Sequence, residues 1–170
     1  MKHNDCGENE ANDCRFVKAP MKKLAPLIEE TVNGGGTFRL ITAGTSMLPL
    51  LRDRTDTVIL KKAETPLKRY DIPLYRRANG QYVLHRILRL EKDGTYTLCG
   101  DNQTVAEKGI RDEDITAVAS EIDRNGKTIR FSSFGYRLYV FLWCKCFLIR
   151  RILLKLAAAY LKIKNKCKGV

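Results

Sequence analysis

The 170-residue chain predicts a mainly β fold of consecutive antiparallel strands, with a short N-terminal helix and a basic, apolar, amphipathic helical C-terminal tail. Three observations carry that prediction. Short runs rich in β-branched and aromatic residues recur through the middle of the chain. Three Asx-Gly pairs, Asn79-Gly80, Asp93-Gly94 and Asn125-Gly126, fall between such runs, and each is a tight hairpin signal because both turn positions need a positive φ. From Phe134 onward the composition changes, with apolar residues set among cations and no acid.

Residues 1–19 are polar and lack an apolar run, which predicts a disordered tail without a signal peptide or membrane anchor. Pro20 to Val32 reads as a short amphipathic helix, stopped by Gly34-Gly35-Gly36 and leading into a first strand at Phe38 to Thr42. Strands follow at Thr57–Leu60, Ile72–Tyr75, Tyr82–Leu88, Tyr96–Leu98 and Ala117–Ile122. The expected organisation is therefore a polar tail (1–19), one domain with its leading helix (20–133), and a basic helical tail (134–170). One domain of this length buries a sizeable core.

The chemistry concentrates in Gly44-Thr-Ser-Met-Leu-Pro49 and in Leu84-His-Arg-Ile87, which carries the only histidine beyond His3. A serine hydroxyl is inert until a base accepts its proton, so Ser46 and His85 are the minimum parts of an activated nucleophile. Taken singly, Ser46 reads equally as a turn or helix-capping residue and His85 as a hydrogen-bonded strand histidine. Two further boxes complete the pattern: Tyr70-Asp-Ile-Pro73, and Gly100-Asp-Asn102 after Cys99.

These four boxes, in this order over residues 38–120, resemble the type I signal peptidases and the LexA-like self-cleaving peptidases. The resemblance implies a coiled antiparallel β-sheet peptidase fold and a serine endopeptidase that processes a peptide or protein precursor, without metal or organic cofactor. Most such enzymes use a lysine base; His85 resembles instead the endoplasmic-reticulum and archaeal-type branch, where the base needs little tuning because its reference pKa is already near neutral. Lys61 and Lys62 belong to another box.

Two acids compete to orient His85. In the Ser/His branch an acid follows the Gly-Asp-Asn Asp by six residues, which is Glu107 here; Asp101 is the alternative, and Glu107 also reads as a solvated loop acid. The side-chain donor of bacterial members is replaced by Gly44, leaving the Ser46 N–H, and more weakly the Thr45 hydroxyl, to hold an oxyanion. Gly44 allows a positive φ at the turn. Met47 and Pro49 are candidates for shaping the substrate pocket, or else a core methionine and a helix-start proline.

The formal net charge is +12, and nine of it comes from the Lys and Arg after residue 133. The apolar run from Leu138 to Ile149 is too short to span a bilayer. Trp143 and Tyr160 among cations predict that 138–163 lies on an anionic membrane surface, which makes a cytoplasmic, peripherally membrane-associated protein the expectation. A core-packing helix with a basic outer face is the alternative. Nucleic acid is not an expected partner, because a phosphate-binding patch would not carry such an apolar run. The cysteines at 6, 14, 99, 144, 146 and 167 show no Cys-x-x-Cys spacing and predict reduced thiols. Two rivals to a peptidase stay open: a catalytically silent peptide- or membrane-binding module on the same fold, and a nucleic-acid-associated regulator related to the self-cleaving repressors.

Overall fold

A computed structural model describes residues 19–145, so the predicted polar tail to residue 18, and the part of the predicted tail after 145, lie outside the described residues. The described chain is mainly β, with antiparallel pairing throughout. Helix α1 (Met21–Asn33) opens after Pro20. It buries Ala25, Ile28 and Val32, the a/d-like spacing that the amphipathic pattern requires. Each of the two larger side chains contributes about 1.5–3 kcal/mol against the sheet. The chain turns at Gly34 and Gly35, the latter at φ +84°.

Strands β1 (Phe38–Ile41), β2 (Thr57–Lys61), β3 (Pro73–Arg76), β4 (Tyr82–Leu84), β8 (Ile115–Arg124) and β9 (Lys127–Arg130) form one sheet in the order β1-β2-β8-β3-β4, with β9 paired to β8. Strands β5 (Arg86–Leu90), β6 (Tyr96–Cys99) and β7 (Glu107–Ile110) form a second. All three Asx-Gly pairs close hairpins: β3 to β4, β5 to β6 and β8 to β9. The sheet curls, with register shifts in β2–β8 and β3–β8 that add twist.

One predicted strand is two. The run Tyr82–Leu88 breaks at His85, because the chain leaves the first sheet after Leu84 and enters the second at Arg86. Four consecutive residues, Leu84 to Ile87, are buried there, which no single half-exposed strand permits. The alternation still sorts them. Val83 and Ile87 pack in a smaller core with Tyr75, Tyr96 and Leu98, and Leu84 packs in the main core with Ile28, Val58, Leu60 and Ile122.

The predicted tail starts as part of this body. Helix α2 (Phe134–Val140) is capped by the Ser133 hydroxyl, which accepts from the Tyr136 N–H. A π-turn over Phe141–Lys145 continues it. Tyr136 belongs to the main core and stacks on Phe131 at 4.3 Å. No helix among the described residues is long and apolar enough to cross a membrane.

Candidate functional site

Ser46 sits in the turn that follows β1, and that turn is tied down on both sides. The Gly44 N–H donates to Asp53 Oδ1 at 2.7 Å, and Gly44 adopts φ +106°, so glycine is required there and its amide is already used. Beneath the turn, fully buried Asp56 accepts from Arg52 and Arg124, and Arg124 also donates to the Leu50 carbonyl at 2.6 Å. Burial works against the Asp56 charge, but the two guanidinium groups outweigh it and hold its pKa below the ordinary value. Met47 is buried in the main core and also lines the cleft described below; Pro49 is exposed, lies outside that cleft's lining and starts no helix.

The Gly-Asp-Asn box docks on this turn through its backbone. The Asn102 N–H donates to the Ser46 carbonyl at 2.7 Å, and the Asn102 side-chain amide to the Thr45 carbonyl at 3.1 Å. The Ser46 N–H donates to no acceptor among the described residues. Gly100 fits where nothing larger can: a Cβ there would lie 2.5 Å from the Ser46 carbonyl oxygen and 3.1 Å from His85 Nε2. Serine turn and imidazole edge therefore flank the same point. Gly100→Ala is expected to push the two apart, lowering stability by about 1–3 kcal/mol. The melting temperature checks this; an unchanged value would show that the approach at Gly100 is slack.

His85 sits at the break between the two sheets and is 1% exposed. Its Nδ1 is 3.2 Å from Glu107 Oε1 and 3.2 Å from the Tyr75 hydroxyl. A neutral imidazole has one N–H; in the tautomer that places it on Nδ1, the imidazole donates to Glu107. Nε2 is then left with its lone pair on the Ser46 side. Burial lowers the His85 pKa from 6.5, opposed by the Glu107 charge and reinforced by Arg77. Glu107 opens β7 opposite Leu98 of β6, and Arg77 grips both its oxygens, Nε to Oε2 at 2.8 Å and Nη2 to Oε1. That pairing, against the penalty of partial burial, holds the Glu107 carboxyl below its ordinary pKa. Burial first, and then the Glu107 charge, raise the Tyr75 hydroxyl far out of the titrating range, so it is a fixed donor.

Asp101 has another partner. Both its oxygens receive the Arg86 guanidinium, at 2.8 and 2.6 Å, and both residues are fully buried. Arg86 also donates to the Tyr70 carbonyl and to the Tyr136 hydroxyl. Tyr139 of α2 donates to Asp101 Oδ2 at 2.9 Å, and the Trp143 indole to the Asp101 carbonyl at 2.8 Å. Of the two acids, Glu107 faces the imidazole while Asp101 anchors the box. Cys99 is buried, with its thiol 3.3 Å from the carbonyls of Gln103 and Val105.

A cleft of about 530 Å³ opens over these groups, lined by residues 42–47, Leu51, Arg77, residues 81–85, Asn102 and Gln103. Its walls include all of β4, the last strand of the sheet order, and the segment that follows β1. No group of three or more His, Cys, Asp or Glu suited to a metal occurs among the described residues. Sequence reasoning missed Arg77 and Tyr75. Both lie on or just after the hairpin strand that the Asn79-Gly80 turn folds back beside His85, and that hairpin register was the signal available. No family model, curated protein or solved structure matches the chain.

Proposed function

We propose that the protein is a serine endopeptidase that cleaves an extended segment of a peptide or protein precursor. The observation that carries this reading is the polarity of His85: Nδ1 is held by an ionised, arginine-paired Glu107, and Nε2 is turned toward the Ser46 turn. In this reading Ser46 attacks the scissile carbonyl while His85 takes its proton through Nε2 and returns it to the leaving amine. Glu107 fixes the tautomer and stabilises the imidazolium that forms. The uncommitted Ser46 N–H holds the oxyanion, with the Thr45 hydroxyl as a second candidate. The border of the cleft favours an extended substrate, because β4, the last strand of the sheet order, lines it and offers the backbone groups of its outer edge to a strand laid alongside.

Incubation of the protein with a mixed library of unstructured peptides, read by mass spectrometry, tests the reading. Internal cuts made by the wild type and absent with Ser46→Ala support it, and identical fragment patterns overturn it. The pH dependence is a separate expectation. Because burial lowers the His85 pKa, the neutral base is present above a value that itself lies below 6.5, so the acid limb of kcat/KM falls below pH 6.5. Glu107→Gln removes the charge that raises this pKa and leaves Arg77, which lowers it. The limb then moves to lower pH while the plateau drops by on the order of 10²- to 10⁴-fold. A limb that moves upward would contradict the assigned role of Glu107.

A further inference from the structure

Helix α2 and the turn after it have two apolar faces, one buried against the body and one largely exposed. Tyr136, Tyr139 and Trp143 point inward to Arg86 and Asp101. Phe134, Leu138, Phe141 and Leu142, spaced i, i+4, i+7 and i+8, form a second stripe that is 81%, 45%, 50% and 51% exposed. Half of the eight exposed large hydrophobic residues among the described residues are concentrated here. Beside the stripe an apolar groove of about 720 Å³ is lined by Phe131, Phe134 and Phe141, with exposed Arg69 and Arg137 and one acid, Asp71, as its charged residues. Tyr70 lines the same groove, and its buried hydroxyl has no hydrogen-bond partner among the described residues.

We propose that this face docks on an anionic lipid surface. The charge decides between occupants. From Phe134 to the C-terminus the chain has nine Lys or Arg and no acid, so a second copy of the same face would meet like charge, whereas an anionic bilayer meets both the cations and the apolar stripe. The inward hydrogen bonds of Tyr139 and Trp143 fix the helix to the body and leave the stripe presented, so docking requires no rearrangement of the core. The arrangement is that of a helix lying in the interfacial plane, with side chains entering the headgroup region and basic residues reaching phosphates. The proposal does not depend on the peptidase reading.

The test is co-sedimentation of the full-length protein with vesicles of phosphatidylcholine alone or mixed with phosphatidylglycerol. Binding is expected to the mixed vesicles, weaker by about tenfold or more on neutral ones, and reduced as salt rises. A triple variant, Phe134→Ser with Leu138→Ser and Phe141→Ser, keeps every cation and is expected to bind mixed vesicles about tenfold or more weakly. Trp143, the only tryptophan, reports whether that variant keeps its fold, since its emission in the absence of lipid should match the wild type. No binding by the wild type, equal binding to both vesicles, or full binding by a correctly folded triple variant would each overturn the proposal. So would dimers or a fold-back of residues 146–170 that bury the stripe and exclude lipid.

Discussion

Ser46→Ala and His85→Ala are each expected to lower kcat/KM on a cleaved peptide by about 10⁴-fold or more, and the double variant to be scarcely worse than either. In the proposed mechanism the two residues act on one proton, so removing either partner empties the step. Their positions make this specific: Nε2 and the Ser46 carbonyl flank the same point at Gly100, and Nδ1 is already engaged by Glu107. Ser46→Ala should melt close to the wild type, whereas His85→Ala opens a cavity at a buried position and leaves Tyr75 and Glu107 without their imidazole partner, so its rate is compared at a temperature where it remains folded. His85→Lys is not expected to restore activity. A lysine amine there would face Arg77 and the partly buried Glu107, which stabilises the ammonium rather than the neutral base. Losses that multiply in the double variant would argue against a shared proton-transfer step.

The second large effect is on stability. Asp101→Asn leaves Arg86 fully buried without its countercharge, at a cost of about 3–5 kcal/mol. For a chain of this size that lowers the melting temperature by roughly 10 °C. Burial opposes the Arg86 charge, and the adjacent Asp101 more than compensates, keeping the guanidinium protonated throughout. Asp101 also receives Tyr139 and supports Trp143, so the same change loosens α2. Turnover should fall less than stability, the reverse of Glu107→Gln. Replacing the pair together, Arg86→Met with Asp101→Leu, is expected to destabilise less than Asp101→Asn alone, because no buried charge is left unpaired. A loss below about 1 kcal/mol for Asp101→Asn would show the pair to be dispensable.

The hairpins were legible because Asx-Gly turns are local: Asn79-Gly80, Asp93-Gly94 and Asn125-Gly126 each encode their own geometry within two residues. Helix α1 was legible from its periodicity for the same reason. Strand β7 was not, since Glu107-Lys-Gly-Ile110 lacks β-branched runs and is held in place by β6. Nor was the break at His85 readable, because it depends on two sheets meeting there. The spacing of boxes brought Ser46 and His85 forward as candidates, yet could not choose between Glu107 and Asp101. That geometric choice rests on Arg77 and Arg86, each of which takes one acid, and pairings between residues 15 and 30 positions apart leave no periodic trace.

Covalent labelling with a serine-directed fluorophosphonate, located by peptide mass spectrometry, tests the central claim most directly. Adduct is expected on Ser46, slowed strongly in His85→Ala and in Glu107→Gln, and absent in Ser46→Ala. Labelling at another serine, or labelling of Ser46 at the same rate without His85, would contradict it.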